Sequence, residues 1–179
     1  DAVEPNKDLF KKNISDKVVM VTGAGGSIGS ELCRQILSFK PKILVLYELS
    51  ESSLYQINQE LKANNEFNVE VCPVLGSVTD KERALKICEY YGVKTIYHAA
   101  AYKHVPLVEY NSSQGVFNNA IGTMLLAEAA IASNVETFVL ISTDKAVRPT
   151  NYMGASKRAA EMVLQAFAEQ THNTCFTMV

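Results

Sequence analysis

The chain has 179 residues, of which 47% are hydrophobic and 20% charged, and these values are ordinary for one globular domain with a sizeable core. A formal net charge of −2 gives no electrostatic reason to expect nucleic acid or an anionic membrane surface as a partner. The four cysteines lie far apart without a CxxC pair, which argues against a metal site and favours reduced thiols in the cytoplasm. We find no run that approaches the roughly 18 apolar residues of a transmembrane helix.

The two ends of the chain differ from the rest. Residues 1–13, DAVEPNKDLFKKN, are polar and aperiodic, and this pattern predicts a linker or an N-terminal strap. The last residues, NTCFTMV, form a β-rich run that stops without a turn or tail. We therefore expect one domain over residues 14–179 that belongs to a longer protein.

Apolar runs alternate with amphipathic helical patterns along this domain. Strands are predicted at 17–22, 42–47, 69–75, 94–99, 137–142 and 174–179. Helices are predicted at 27–39, after a cap at Ser50 or Ser52, at 79–91, at 113–133 and after the fifth strand. Continuous apolar strands separated by helices indicate an α/β, doubly wound parallel sheet, the Rossmann fold. The expected strand order is 3-2-1-4-5-6, with ligands at the carboxyl ends of strands one and four.

A glycine-rich turn follows the first strand in the sequence TGAGGSIGSEL (22–32). Gly23 would permit the tight turn, Gly26 the approach of backbone amides to a pyrophosphate, and Gly29 close packing of the helix on the strand. Glu48 ends the second strand, where a carboxylate binds the ribose hydroxyls of NAD and repels the 2′-phosphate of NADP. NAD is therefore expected rather than NADP, with contacts from Gly23, Gly26, Ser27, Ile28, Gly29 and Glu48. The alternative is an ordinary glycine-rich turn beside a surface glutamate.

Small and polar residues follow the next strands. In GSVTD (76–80), Ser77 and Val78 lie where an adenine would bind. The three alanines of HAAA (98–101) allow a cofactor to approach closely, although they would also simply pack a strand end. Further predicted cofactor contacts are therefore Ser77, Val78, Ala99, Ala100, Ala101 and, on the long helix, Asn119.

The segment STDKAVRPTNYMGASKRAAE (142–161) is similar to the active-site segment of short-chain dehydrogenase/reductases. These enzymes place a tyrosine four residues before a lysine, on one face of a helix. Here the lysine is Lys157, but Met153 stands at the tyrosine position, and a thioether neither gives nor takes a proton. Tyr152 is five residues from Lys157, which turns it away from that side chain. We interpret Tyr152 as a packing or substrate-edge residue.

Four motifs, TGAGGSIG, HAAAYKHVP, NNAIGT and STDKAVRPTNYMGASK, together resemble the extended short-chain dehydrogenase/reductases. More narrowly, they resemble the bacterial UDP-N-acetylglucosamine 4,6-dehydratases of polysaccharide biosynthesis, and within them a membrane-anchored branch with methionine at the tyrosine position. The resemblance implies a membrane region before this domain and a UDP-sugar-binding region after residue 179. It therefore implies a cytoplasmic catalytic domain in a protein at the inner membrane, and it leaves a homo-oligomer open.

The resemblance also implies roles for individual residues. In the family reaction, NAD takes a hydride from C4 of the sugar, water is lost across C5 and C6, and the hydride returns to C6. Thr143 would hydrogen-bond the C4 oxygen, Asp144 would protonate the leaving C6 hydroxyl, and Lys145 would take the C5 proton. Lys157 would hold the nicotinamide ribose, and Lys103 would face the phosphates of substrate or cofactor. Because the tyrosine is missing, Asp144 is also our hypothesis for the acceptor of the C4 hydroxyl proton. The predicted catalytic residues are Thr143, Asp144, Lys145, Met153 and Lys157, and the predicted substrate contacts are Lys103 and Thr143.

Other readings of the same residues stay open. A sugar-nucleotide 4-epimerase or reductase does not eliminate water and so does not need Asp144 and Lys145 as an acid and a base. A non-catalytic dinucleotide-sensing module would also explain the missing tyrosine. In those cases Asp144 and Lys145 form a solvated ion pair, and Met153 fills a gap. His104 and His172 are interpreted as structural histidines.

Overall fold

The computed structural model describes residues 7–170 and 173–179. Its strands are β1 (Val18–Thr22), β2 (Ile43–Glu48), β3 (Glu70–Leu75), β4 (Thr95–His98), β5 (Thr137–Leu140) and β6 (Cys175–Met178). All pair in parallel, in the order β3-β2-β1-β4-β5-β6. The predicted fold class and strand order are confirmed, and every strand begins and ends within two residues of its predicted position. His172 lies outside the described residues.

Helices cover both faces of the sheet. They are α1 (Lys7–Ile14), α2 (Ser27–Ser38), α3 (Glu51–Ala63), α4 (Lys81–Tyr91), α5 (Val105–Tyr110), α6 (Ser112–Val116), α7 (Gly122–Ala132) and α8 (Tyr152–Gln170). A π-helical turn (Phe117–Ile121) joins α6 to α7, and a 3₁₀ turn (Asp144–Ala146) follows β5. The predicted cap of α3 is Ser50, whose side chain accepts a hydrogen bond from the Ser53 amide at 3.3 Å.

The sheet separates two hydrophobic cores, because successive side chains of a strand point to opposite faces. On β1, Val18 and Met20 pack into the core beneath α4, α7 and α8. Val19 and Val21 pack into the core beneath α2 and α3. Strands that are apolar on both faces therefore lie between two helical layers, and their carboxyl ends remain free to form a site.

The helix α1 was not predicted, since the sequence pattern there is aperiodic. Two of its apolar side chains dock it on the domain: Phe10 stacks on Phe39 with ring centroids 5.3 Å apart, and Ile14 is fully buried. The Thr95 hydroxyl also donates to the backbone oxygen of Asn13 at 2.6 Å. Part of the expected strap is thus helical and packed under the sheet, while residues 1–6 lie outside the described residues.

The region predicted as one helix over 113–133 is divided into α6, the π-helical turn and α7. Within the described residues, the stretch Ser112–Ala132 is the one helix long and apolar enough to cross a membrane, with a mean hydropathy of 1.2. This differs from the sequence-based expectation that no run approaches the length of a transmembrane helix. Slightly more than half of its apolar window, 56%, is buried inside the protein, where Leu126 and Ala130 belong to the core. Its hydropathy therefore fits a core helix.

Candidate active site

A cavity of about 410 Å³ opens at the carboxyl ends of the strands, where β1 and β4 adjoin. This is the position expected of a ligand site in a doubly wound sheet. Sixteen of the eighteen residues predicted for the site line it: Gly23, Gly26, Ser27, Ile28, Gly29, Glu48, Ser77, Val78, Ala99, Ala100, Ala101, Lys103, Thr143, Lys145, Met153 and Lys157. Asn119 and Asp144 do not line it.

The glycine turn brings backbone, rather than side chains, to the cavity wall. Gly23 has φ +65°, and a Cβ there would lie 2.7 Å from the backbone of Ala100. A Cβ on Gly29 would lie 2.0 Å from the Gly23 carbonyl oxygen, so the helix α2 begins in direct contact with the turn. Gly26 occupies the N-cap position of α2, where no side chain accepts from the free amides. These amides can bind an anion in the cavity.

Glu48 is held in place at the end of β2. Its carboxylate accepts a hydrogen bond from the Gly25 amide at 3.0 Å and another from the Ser50 amide at 2.9 Å. Each oxygen therefore has one backbone partner and retains a lone pair for a further donor. A preorganised carboxylate that faces the cavity is suited to binding a pair of hydroxyl groups.

The next edge of the cavity lies at the end of β3. The buried Tyr47 donates its hydroxyl to the Ser77 carbonyl oxygen at 2.9 Å, and burial raises the pKa of this phenol to about 12. The Ser77 hydroxyl is 2.7 Å from that of Thr79. Since these local bonds fix the backbone, Val78 and the Ser77 backbone form a firm wall for a flat group.

A buried histidine that was not among the predicted site residues lies beneath the alanines. The two ring nitrogens of His98 lie 2.7 Å from the Thr22 hydroxyl and 2.9 Å from the Thr123 hydroxyl. Thr123 donates its own proton to the Asn119 carbonyl at 2.6 Å, so it accepts from His98 Nε2–H, and Thr22 donates to Nδ1. Burial, with a smaller effect of the Lys157 charge, lowers the pKa of His98 to about 3. The histidine is therefore neutral, and its hydrogen bonds tie β1 and β4 to α7.

The sequence does contain a signal for this network. His98 ends an apolar strand, and in a parallel sheet with the predicted order it pairs in register with Thr22, the last residue of β1. The partner on α7 requires the three-dimensional packing of that helix.

Asn119 fixes the loop that follows the alanines. Its side chain accepts from the Tyr102 amide at 2.8 Å and donates to the Tyr102 carbonyl at 2.9 Å. It also donates to the Ser156 hydroxyl at 3.0 Å, which joins the π-helical turn to α8. Asn119 is only 1% exposed. The structure thus places it behind the cavity wall, where it positions neighbouring residues.

Lys157 and Met153 lie one turn apart on the inner face of α8. They are 5% and 3% exposed, and both line the cavity. Lys157 Nζ donates to the Ile141 carbonyl oxygen at 2.7 Å. Burial outweighs the nearby Glu161 carboxylate and lowers the pKa of Lys157 to about 8. Tyr152 is 55% exposed and absent from the cavity lining, as the helical geometry predicted.

Three predicted catalytic residues, Thr143, Asp144 and Lys145, form a triplet that follows β5. Thr143 and Lys145 line the cavity, whereas the Asp144 side chain is 90% exposed. The Asp144 carboxylate accepts from the Thr143 hydroxyl at 3.0 Å and lies 3.6 Å from Lys145 Nζ, and these neighbours hold its pKa below the usual value. A Cβ on Gly154 would lie 2.2 Å from the Lys145 carbonyl oxygen. Because Gly154 has no side chain, α8 packs directly against the backbone of Lys145, and this contact holds the triplet beside the cavity.

The Rossmann sheet, the glycine turn and the inward lysine of α8 define a nucleotide-binding domain of the extended short-chain dehydrogenase/reductase class. The solved structure of Pen from Bacillus thuringiensis superposes with a TM-score of 0.83 and 30% sequence identity, covering 93% of this chain and 52% of that one. A family model described as "Polysaccharide biosynthesis protein" matches residues 19–179, and the chain belongs to that family.

Several curated relatives share this region. The chain is 46% identical over 179 residues to the "Capsular polysaccharide biosynthesis protein CapD" of Staphylococcus aureus, and spans 30% of its length. It is 31% identical over 153 residues to a "UDP-N-acetylglucosamine 4,6-dehydratase (inverting)" of Campylobacter jejuni, covering 84% of this chain and 43% of the relative. It is 30% identical over 154 residues to a "UDP-glucose 4-epimerase" of Rickettsia rickettsii, covering 86% of this chain and 44% of the relative. The chain thus spans less than half the length of these relatives.

Proposed function

We propose that the cavity binds a nicotinamide dinucleotide, and NAD in preference to NADP. Three features support the fit: a tight glycine turn on the cavity wall that side chains at Gly23 and Gly29 would disrupt, the uncapped start of α2, and the carboxylate of Glu48. The amides of α2 would bind the pyrophosphate, and Glu48 would accept from the ribose hydroxyls. The segment 49–61 contains no lysine or arginine that would bind a 2′-phosphate.

We further propose that the full-length protein removes water from a UDP-N-acetylhexosamine, and that UDP-N-acetylglucosamine is the substrate. The product is a UDP-4-keto-6-deoxy sugar for a bacterial surface glycan or glycoprotein. The observation that carries this proposal is the meeting of Thr143, Lys145 and Lys157 at one end of the cavity, with an inert Met153 at the tyrosine position. The dehydratase and capsular relatives supply the substrate class.

Each residue of the triplet has a proposed task. A bound nicotinamide cofactor would supply the hydride chemistry, taking a hydride from C4 and returning it to C6. The Thr143 hydroxyl orients the C4 oxygen, and Lys145 takes the proton from C5. Asp144 protonates the departing C6 hydroxyl. This role requires the sugar to bind with its C6 next to the exposed side of the 3₁₀ turn. Lys103, whose Nζ lies 3.5 Å from the Ser27 hydroxyl at the start of α2, binds phosphate oxygens.

The mass of the product tests this function. Incubation of the full-length protein with UDP-N-acetylglucosamine should give a product lighter by one water, detected by mass spectrometry. An unchanged mass with a new sugar configuration would favour a 4-epimerase, the second candidate, which the Rickettsia relative supports. Cofactor binding without any product would favour a dinucleotide-sensing module.

We place this domain in the cytoplasm, with the full-length protein at the inner membrane. This proposal follows from the four cysteines, which lie far apart in the sequence without a CxxC pair. We also propose that residues beyond 179 complete the binding site for the UDP-sugar. Fractionation of cells that express the full-length protein, before and after a carbonate wash, tests the membrane association.

A further inference from the structure

We infer that Glu109 is a positioning residue for the proposed dehydration, and that it acts on Lys145 through the first turn of α8. The inference rests on the proposed function, in which Lys145 takes the proton from C5 of the sugar. Glu109 does not line the cavity and was not among the predicted site residues. Successive contacts from α5 to α8, and from α8 to the 3₁₀ turn, connect it to the triplet.

The first contact joins two helices that are far apart in the chain. The Glu109 carboxylate on α5 accepts a hydrogen bond from the backbone amide of Tyr152 at 2.7 Å. Tyr152 is the first residue of α8, and the amides of a first helical turn have no acceptor within their own helix. A carboxylate also suits the partial positive charge at this end of a helix. Glu109 therefore caps a helix to which it does not belong.

The short helix α5 is itself anchored in the domain. Val108, the residue before Glu109, is only 3% exposed. It packs against α6 at Gly115, where a Cβ would lie 2.5 Å from Val108 Cγ1. Because α5 directly follows the loop that carries Lys103, the hydrogen bond of Glu109 connects this loop to α8.

A second connection lies one helical turn further along α8, where the buried amide of Asn119 donates to the Ser156 hydroxyl. Tyr152 and Ser156 are four residues apart, so both connections lie on one face of the helix. The residue that follows each of them lines the cavity. Glu109 in the first turn and Asn119 in the second therefore fix the rotation of α8 about its axis.

The first turn of α8 in turn holds the triplet. Its Gly154 donates its amide to the Asn151 side chain at 2.8 Å and packs against the backbone of Lys145. The Lys145 side chain is 52% exposed, so the placement of its amine depends on this backbone contact. A first turn without the Glu109 cap would fray, and the backbone of Lys145 would lose the surface against which it packs.

The proposed elimination identifies the step that Glu109 affects. The C5–H bond breaks, its proton binds Lys145 Nζ, a C5=C6 double bond forms, and the C6 hydroxyl leaves as water with a proton from Asp144. Glu109→Ala should slow this step about 10–100-fold, the effect expected of a displacement of about 1 Å. Affinity for NAD should not change, since the glycine turn and Glu48 lie on the other side of the cavity.

A single turnover of the full-length protein separates positioning from stability. The absorbance of reduced cofactor rises when hydride leaves C4 and falls when hydride returns to C6, after the elimination. In Glu109→Ala we expect a rise at the wild-type rate, and a fall and product formation about 10–100-fold slower. A smaller amount of folded protein lowers the amplitudes but not the rates. Product formation at the wild-type rate would therefore overturn the inference.

The same hydrogen bond can be removed from its other side. Tyr152→Pro deletes the N–H that Glu109 accepts, and α8 should remain folded because proline is favoured at the first position of a helix. Tyr152→Ala is the matched reference, since it loses the same ring but keeps the amide. Relative to Tyr152→Ala, Tyr152→Pro should form product about 10–100-fold more slowly. Adding Glu109→Ala should slow Tyr152→Ala by the same factor and should not slow Tyr152→Pro further.

Two further variants define the controls. Glu109→Gln keeps an oxygen acceptor for the Tyr152 amide and should restore turnover to near the wild-type rate. Glu89→Ala changes an exposed glutamate of α4 and should leave turnover unchanged. An equal effect of Glu109→Ala in Tyr152→Pro and in Tyr152→Ala would show that Glu109 acts by another route, and would overturn the inference alone. A wild-type protein that releases no dehydrated product would instead contradict the proposed function.

Discussion

Under the proposed function, we expect the single carboxylate of Glu48 to decide which dinucleotide the cavity accepts. Its two oxygens are already held by the amides of Gly25 and Ser50, so the side chain cannot swing away from an incoming 2′-phosphate without losing both hydrogen bonds. A phosphate at that position would meet a fixed negative charge. We therefore expect discrimination against NADP to depend on the two backbone hydrogen bonds that fix Glu48 as well as on its charge.

We expect calorimetry to show tighter binding of NAD than of NADP. Glu48→Gln should reduce this preference, because the amide removes the negative charge that repels the 2′-phosphate. Glu51→Gln is the matched control, since Glu51 is an exposed glutamate in the first turn of α3. Its preference should equal that of the wild type. Tighter binding of NADP by the wild-type protein would contradict the role of Glu48.

His98 makes the stability of the domain depend on pH. Its pKa is about 3 in the folded protein and roughly 6.5 in an unfolded chain, so between these values the unfolded chain binds a proton that the folded protein does not. The stabilising contribution is complete above pH 6.5 and is lost as the pH falls. From this residue alone we expect a loss of about 2 kcal/mol between pH 7 and pH 5.

Urea unfolding at the two pH values measures this loss. His98→Gln should be less stable than the wild type at pH 7, but should lose about 2 kcal/mol less on acidification. His104→Gln, at an exposed histidine, should behave as the wild type. In the wild-type protein, ¹⁵N spectra should show His98 neutral with the proton on Nε2 down to pH 5. A protonated His98 at pH 5 would rule out the hydrogen-bond directions assigned here.

At the scale of elements, the contact between α8 and the 3₁₀ turn sets the distance between the two halves of the proposed chemistry. Gly154 lies against the Lys145 carbonyl oxygen, while Lys157 extends from the same helix into the cavity. A side chain at Gly154 would push the helix and the turn apart. Lys145 and Lys157 would then separate together with their elements.

We expect Gly154→Ala to destabilise the domain by about 1–3 kcal/mol and to weaken dinucleotide binding, because its methyl group overlaps the carbonyl. Ala155→Gly is the control at the next, exposed position, and should cost about 1 kcal/mol of helix stability without changing affinity. Denaturant unfolding and calorimetry give the two quantities. Unchanged affinity in a folded Gly154→Ala protein would show that the contact does not position the site.

Elements with a strong local pattern could be predicted from sequence, and elements that depend on distant partners could not. The strands followed from their continuous apolar runs, and the glycine turn from its spacing. The π-helical turn inserts one residue into a helix without changing the apolar pattern, so Phe117–Ile121 was predicted as ordinary helix. The network of His98 and the outward placement of Asp144 depend on side chains brought together from several elements. For His98 the sequence indicates the pairing with Thr22 but not the partner on α7, and for Asp144 it gives no signal of the outward placement.

At the scale of the whole molecule, the cavity draws its lining from the ends of all five of the first strands. One side, from Gly23 to Val78, has the features of a dinucleotide site, and the other, from Thr143 to Lys157, carries the proposed chemistry. On this second side the side chains of Asp144 and Lys145 are largely exposed. Positioning of the substrate supplies a large part of catalysis. Cofactor binding therefore requires only the dinucleotide site, whereas turnover also requires residues that hold the sugar nucleotide.

The 179-residue chain alone should therefore bind NAD but should not dehydrate UDP-N-acetylglucosamine. Calorimetry with NAD and mass spectrometry of the sugar nucleotide are the two measurements, and the full-length protein is the control for turnover. Dehydration by the isolated chain at the rate of the full-length protein would show that residues 1–179 already form the whole sugar site.

Because β1 lies inside the sheet, between β2 and β4, it cannot complete its pairing early in synthesis on the ribosome. Its partner β4 is made much later, since His98 follows Thr22 by 76 residues. At about 5–20 residues per second, roughly 4–15 s of translation pass before that partner exists. Nascent chains arrested with β4 still in the exit tunnel should be digested readily by protease, and protection at that stage would contradict this order of events. During those seconds one edge of an apolar strand is exposed, so that is when we expect the growing chain to need a chaperone.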